Sequence, residues 1–143
     1  MKRTIVHLAC ILTPIGAVAA SADYMADYYS GNYIKASKSL QSLANQNDKQ
    51  AMFYLGKMYV NGYGVARNPH YGLYLIKKSS NAGYEPAQLY LAKYYLNQKR
   101  GSAEALLWFQ KAAEQGNVDA QLYCGYAYVY GKDVKKDDEK AKY

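Results

Sequence analysis

The sequence repeats with a period in the thirties, and this repeat restricts the fold more than any other feature. Three segments align: Ala51-Met-Phe-Tyr-Leu-Gly-Lys-Met-Tyr59, Ala87-Gln-Leu-Tyr-Leu-Ala-Lys-Tyr-Tyr95 and Ala120-Gln-Leu-Tyr-Cys-Gly-Tyr-Ala-Tyr128. The spacing is 36 residues and then 33, because the turn after the second segment is three residues shorter. A period of this length, with two apolar segments per unit, predicts a solenoid of helical hairpins.

Each aligned segment predicts the first helix of a hairpin. Ala51, Leu55 and Met58 recur at helical spacing, so they form one apolar face. A small residue follows the leucine position in every unit, which predicts a close approach of two helix backbones. These small residues are Gly56, Ala92 and Gly125.

The second helix of each hairpin is predicted over residues 69–82 and 102–115. Pro69 and Ser102 suit helix starts, since proline fits the first turn and serine caps free N–H groups. Gly83 and Gly116 suit the left-handed residue that ends a helix.

A looser hairpin precedes the repeat, and an incomplete one follows it. Gly31-x-Tyr33-x-x-Ala36 has the spacing of a plain tetratricopeptide unit, and Asp137 to Ala141 match the start of another second helix. Because the sequence ends at Tyr143, we expect a truncated product, a fragment, or an array that a partner completes, with self-association through the C-terminal end. The predicted divisions are 1–22 signal peptide, 23–47 hairpin, 48–83 repeat, 84–116 repeat with a short turn, and 117–143 incomplete repeat.

The motifs together resemble a known repeat family. Two patterns carry the likeness: Ala51-x-x-x-Leu55-Gly56-x-x-Tyr59-x-x-Gly62-x-Gly64-Val65, and Lys111-Ala-Ala-Glu-x-Gly116. They are similar to the Sel-one-like repeat of the tetratricopeptide superfamily, over roughly residues 22–143. The chain departs from the pattern at Ser79-Ser80, where two alanines are usual, and in the second unit, which lacks the Gly-x-Gly turn.

The resemblance implies a right-handed all-α solenoid that binds a partner protein or peptide in a concave groove. Carried over position by position, the groove residues are Phe53, Lys57, Val60, Asn61, Leu89, Lys93, Leu96, Asn97, Leu122, Tyr126, Val129 and Tyr130. Lys57 and Lys93 align one repeat apart, which suits a partner segment with an acidic residue or a free carboxylate. In the alternative interpretation, some of these residues pack between helices and the lysines only solvate the surface.

The N-terminus has the order of a secretory signal peptide. Lys2 and Arg3 precede a mostly apolar stretch, which closes with small residues up to Ala22. A transmembrane anchor fits less well because Pro14 and Gly16 interrupt the stretch. Lipidation at Cys10 is disfavoured, since too few residues separate it from Arg3. We therefore expect an exported protein, periplasmic or secreted.

Catalysis has little support in the sequence. Without the signal peptide the chain keeps one histidine, His70, and one cysteine, Cys124, so it cannot form a zinc site of His/Cys type or an intrachain disulfide. Cysteine-rich members of the resembled family are linked to β-lactam hydrolysis, but their disulfide in each repeat is absent here, as are the Ser-x-x-Lys and Lys-Thr-Gly motifs. We expect no enzymatic activity, no metal and no cofactor.

Charge and tyrosine content define the remaining alternatives. The basic residues that give the net charge of +7 are scattered, which argues against a nucleic-acid partner. The preferred function is a protein-interaction adaptor of the bacterial envelope or secreted fraction, and the alternative is an envelope module that binds peptidoglycan or another glycan through Tyr and Lys.

Six of the 18 tyrosines follow the repeat, and others are expected to be partly exposed. Those singled out are Tyr63, Tyr71, Tyr84, Tyr126 and Tyr130.

Overall fold

The described part of the chain is helical throughout. The computed structural model describes residues 24–98 and 102–131, and it contains no strand in these ranges. The helices are α1 (24–29), α2 (Tyr33–Asn45), α3 (Lys49–Asn61), α4 (Pro69–Asn81), α5 (Glu85–Leu96), α6 (Ser102–Glu114) and α7 (Val118–Tyr130). The predicted signal peptide and the helix start predicted at residues 137–141 lie outside the described residues.

The helices stack in chain order, so the predicted all-α solenoid is confirmed. From α2 to α7, the most extensive contacts of each helix are with its neighbours in sequence. The buried side chains form two clusters, one built mainly by α1 to α5 and one by α5 to α7. Tyr95 and Trp108 pack against both clusters and join them into one apolar core.

Capping residues set where three of the helices begin. The side chains of Asp48, Asn68 and Asn117 accept hydrogen bonds from backbone N–H groups three residues on, at 2.7, 3.1 and 2.9 Å. Each bond satisfies a donor that the helix itself leaves unpaired. At the other end of α4, Gly83 has φ of +78°, as its predicted role in ending the helix requires.

The turn after α3 packs onto the preceding hairpin. Tyr63 stacks on Tyr33 with ring centroids 4.9 Å apart, and Gly64 lies directly against the Tyr33 backbone. A β-carbon on Gly64 would lie 2.4 Å from the Tyr33 carbonyl carbon, and the φ of Gly64 is +65°. The Gly-x-Gly motif of this turn therefore has a packing reason as well as a conformational one.

Polar side chains link neighbouring helices across the buried interfaces. The Ser79 hydroxyl donates to the Lys49 carbonyl at 2.6 Å, which joins α4 to the start of α3. Gln88 donates to the Ser80 carbonyl at 3.2 Å and accepts from Gln115 at 2.7 Å. The two serines that replace the usual alanines lie in the core, and the Ser79 hydroxyl holds two helices together there.

Candidate functional site: the aromatic concave surface

The first helices of successive hairpins present aromatic rings that touch across unit boundaries. Tyr28 of α1 lies 4.9 Å from Tyr54 of α3, and Phe53 of α3 lies 6.0 Å from Tyr90 of α5, measured between ring centroids. Edge-to-face contacts of this kind add to the stability that apolar burial gives. We call this surface the aromatic belt, and its members are Tyr28, Tyr29, Phe53, Tyr54, Tyr84 and Tyr90.

Lys57 lies among the rings of the aromatic belt. Its Nζ is 5.5 Å from the Phe53 centroid and 5.8 Å from the centroids of Tyr28 and Tyr54. A cation at this range is attracted by the ring quadrupole, so the half-buried ammonium is held in one region of the surface. Within the described residues, no carboxylate forms an ion pair with it.

Burial keeps several tyrosine hydroxyls of the belt neutral at physiological pH. It raises the pKa of Tyr28 to about 12. Burial, together with the hydrogen bond to Tyr29, raises the pKa of Tyr54 well above its usual value, and burial also raises the pKa of Tyr84. The Tyr54 hydroxyl lies 2.9 Å from the Tyr29 hydroxyl and also hydrogen-bonds with Tyr84, so the accessible hydrogen-bonding capacity belongs to Tyr29, which is 70% exposed.

Helix α3 places its four predicted groove residues in different environments. Phe53 is only 6% exposed because the rings of Tyr84 and Tyr90 contact it. Val60 faces α4, where its side chain occupies the space beside Gly72. Asn61 is exposed, and its amide donates to the Lys57 carbonyl at 2.9 Å. Of the four, Lys57 and Asn61 have the accessible polar groups.

The predicted residues on α5 and α7 are more open. Leu89 is half-buried and packs against the second core cluster, whereas Lys93, Leu96 and Asn97 are exposed. The four on α7 form a largely apolar exposed stripe: Leu122 at 68%, Tyr126 at 55%, Val129 at 41% and Tyr130 at 68%. On α3, Lys57 contacts Tyr28 of α1, and Phe53 contacts Tyr90 of α5. The role of the predicted groove residues in binding stays a prediction.

Sequence reasoning did not place Tyr29, Tyr54 and Tyr90 in the groove. Tyr54 and Tyr90 were interpreted as repeat positions, whereas Tyr84 was among the tyrosines expected to be partly exposed, and it is half-buried. Tyr54 itself is 9% exposed and belongs to the core. The missed signal is that Tyr54 and Tyr90 occupy the same repeat position, one unit apart, next to Phe53 and Leu89. An aromatic residue that recurs on neighbouring first helices is placed to contact the adjoining unit.

The described residues contain few groups suited to catalysis. Cys124 is 1% exposed, and burial raises the pKa of its thiol to about 11, so it packs as a small apolar side chain. His70 is exposed at the start of α4. Within residues 24–98 and 102–131, no three His, Cys, Asp or Glu side chains cluster as metal ligands would. Over the same ranges, every helix is too short or too polar to cross a bilayer.

Stacked helical hairpins whose first helices carry the aromatic belt define the class of helical-repeat proteins. The Sel1 repeat matches residues 49–84, 85–117 and 118–143, and the chain belongs to this family. Proteins of the Sel1 repeat family generally mediate protein–protein interactions and are typically non-catalytic scaffolds. The resemblance inferred from the motifs is therefore confirmed.

Solved structures and curated relatives agree with this membership. The chain is similar to a Sel1 repeat protein from Oxalobacter formigenes, with a TM-score of 0.72, 26% identity, and coverage of 85% of this chain and 50% of that one. It is also similar to a protective antigen of uropathogenic Escherichia coli with an SLR fold, with a TM-score of 0.68, 27% identity, and coverage of 87% of this chain and 28% of that one.

Two sequence relatives are much longer than the matched region. Chitin synthase regulatory factor 4 of Schizosaccharomyces pombe is 30% identical over 113 residues, which are 76% of this chain and 17% of the relative. The Sel1-repeat-containing protein YjcO of Escherichia coli is 27% identical over 137 residues, which are 86% of this chain and 59% of the relative. The chain thus spans only part of the length of either relative.

Proposed function

We propose that this chain is a non-enzymatic adaptor of the bacterial envelope or secreted fraction that binds a segment of a partner protein on its concave surface. The observation that carries the proposal is the position of Lys57 among three rings of the aromatic belt. The three rings that position Lys57 are themselves buried, so the accessible ring area comes from exposed Tyr29 and from half-buried Tyr84 and Tyr90. These rings offer contact area with little loss of side-chain entropy, and the ammonium offers a charge without a competing ion pair among the described residues.

The chemistry of the surface points to an apolar partner segment that also carries an acidic group. Lys57 and Lys93 hold equivalent positions on α3 and α5, and the rings of Tyr54 and Tyr90 accompany them one unit apart. A segment that lies across both units would meet an aromatic face and a cation in each. Such repetition favours an extended peptide over a compact ligand.

The proposed location rests on the sequence before the described residues. Lys2, Arg3 and the small residues that end at Ala22 favour export and cleavage. Detecting a chain with a new N-terminus near Asp23 in the periplasmic or culture fraction would support export. A full-length chain confined to the cytoplasm would contradict it.

A site-specific crosslinking experiment tests the binding surface. A photo-reactive residue replaces exposed Lys93 on the concave surface, and a matched one replaces exposed Gln46 at the end of α2. Expressed in the native envelope, the Lys93 variant should crosslink a protein that the Gln46 variant does not, and adding Lys57→Glu should reduce the yield. Equal crosslinking from both positions, or retention on purified peptidoglycan with no protein product, would favour the glycan-binding alternative.

A further inference from the structure

A second recess lies away from the aromatic belt, between α4 and α5. It has a volume of about 370 Å³ and is bordered by His70, Leu73, Tyr74 and Lys77 of α4 and by Leu91, Tyr94 and Tyr95 of α5. Residues two apart in a helix project to roughly opposite sides, so Leu91 and Tyr95 lie on the side of α5 away from Leu89 and Lys93. We call this recess the α4–α5 pocket.

The recess at the equivalent place in the preceding unit has a different lining. Ser37, Lys38 and Gln41 of α2 stand 36 residues before Leu73, Tyr74 and Lys77, and they border a recess with Val65 from the turn after α3. Val65 packs there against the core. The turn after α5 is three residues shorter and carries no Gly-x-Gly-Val, so the sequence has no counterpart of Val65 for the α4–α5 pocket.

The pocket joins an apolar base to an available cation. Leu91 is 1% exposed and forms the base, whereas Tyr74 is 57% exposed, and its ring stacks on Tyr71 at 6.1 Å. The Nζ of Lys77 lies 5.7 Å from the Tyr95 ring centroid. No lining residue is acidic, and Lys77 has no ion-pair partner among the described residues.

We propose that the α4–α5 pocket binds an organic carboxylate whose apolar or aromatic body is about the size of one amino-acid side chain. The volume is at the lower end of the range for small-molecule sites. The apolar body contacts Leu73, Leu91 and the ring of Tyr74, and the carboxylate pairs with the Lys77 ammonium. The C-terminal residue of a peptide and a free amino-acid derivative share this chemistry.

Small probes test the proposal on the purified chain, expressed without the predicted signal peptide. N-acetyl-phenylalanine, its neutral amide and acetate are titrated while backbone amide NMR signals are followed. The acid should give saturable shifts centred on Lys77 and Tyr95, and the amide and acetate should bind at least about threefold more weakly. Equal responses to the acid and the amide, or preferential binding of N-acetylglucosamine, would overturn the proposal.

Two exposed positions provide variants that should not disturb folding. Lys77→Gln should weaken binding of N-acetyl-phenylalanine about threefold and leave binding of its amide unchanged, whereas Lys49→Gln, at an exposed position outside the pocket, should change neither. Tyr74→Ser should weaken both probes. If Lys49→Gln acts like Lys77→Gln, the loss reflects net charge alone and the proposal is wrong.

The pocket proposal is separate from the one for the concave surface. Lys77→Gln should leave crosslinking of a partner through position 93 unchanged, because the two sites occupy opposite sides of α5. A longer probe, N-acetyl-Gly-Gly-Phe with a free carboxylate, distinguishes the C-terminus of a peptide from a free amino-acid derivative as the ligand. Tighter binding than N-acetyl-phenylalanine indicates a peptide C-terminus, and equal or weaker binding indicates a free small acid; both support the proposed chemistry.

Discussion

Gly56 and Gly72 face each other where α3 and α4 come closest together. A β-carbon on Gly56 would lie 2.8 Å from the Gly72 carbonyl oxygen, and one on Gly72 would lie 2.6 Å from the Gly56 carbonyl oxygen. Since these neighbours are backbone atoms, the only way to relieve either contact is to move the helices apart. In the second unit, buried Ala92 and Ala105 take the corresponding positions, so that hairpin accommodates two methyl groups.

Replacing Gly72 with alanine should destabilise the protein even though alanine is the better helix former. Alanine contributes about 1 kcal/mol in a helix interior, but overpacking costs typically 1–3 kcal/mol and here meets backbone. We expect a net loss of about 1–2 kcal/mol in the free energy of unfolding, measured by urea denaturation. Ser42→Ala, at an exposed position within α2, has the propensity gain without the contact and should be neutral or slightly stabilising. A gain in stability for Gly72→Ala would contradict the close packing.

The turn after α3 gives a second prediction, because two glycines share a backbone conformation but differ in their surroundings. Gly64 and Gly83 have φ of +65° and +78°, yet a β-carbon on Gly64 would meet the Tyr33 backbone, whereas one on Gly83 would meet nothing within 4 Å. Gly83→Ala should therefore cost only about 1 kcal/mol from conformational strain. Gly64→Ala should cost clearly more, because it also separates the turn from α2.

Thermal and urea unfolding of the two glycine variants side by side measure the difference. Equal losses would show that the turn does not press against α2 as described.

Buried cysteine and tyrosine side chains predict how the stability of the fold depends on pH. Burial raises the folded-state pKa of Cys124 from 9.0 to about 11, and that of Tyr24 and Tyr28 from 10.0 to about 12. A raised folded pKa means that the folded state retains its proton while the unfolded state loses it. The stabilisation is therefore fully present below pH 9 and is lost as the pH rises to between 11 and 12.

Urea midpoints measured between pH 7.5 and 11 should thus fall steeply above pH 9. Tyr28→Phe removes one of these buried acids and should make the fall shallower, provided that the slope with urea is unchanged. Tyr130→Phe, at a ring that is 68% exposed, is the matched control and should leave the pH profile as it is. A flat profile up to pH 11 would contradict burial of these groups.

Much of the fold can be predicted from the sequence because the same packing and capping positions recur in each repeat. The starts of α4 at Pro69 and α6 at Ser102, and the left-handed glycines after them, were each marked by a residue type with one physical role. Binding positions on the concave surface carry no such mark. Phe53 has the pattern of a groove residue, but its exposure depends on Tyr84 and Tyr90 in the next unit, which local spacing does not reveal.

The α4–α5 pocket was missed for a related reason. Its lining residues follow the ordinary helical pattern, and no motif in the sequence marks them as a site.

The last prediction concerns the charges of the concave surface. Reversing both aligned cations with Lys57→Glu and Lys93→Glu should weaken binding of a crosslink-identified partner by about tenfold or more, since an acidic segment would then meet two like charges. The control, Lys38→Glu with Lys78→Glu, makes the same change in net charge at exposed positions on the second helices. Affinity measured at low and at high salt separates the electrostatic from the apolar contribution to binding. The difference in affinity between the two double variants should shrink at high salt, because salt screens the charges. A partner that binds the first double variant with full affinity would rule out the electrostatic part of the proposal and leave the aromatic belt as the sole source of binding.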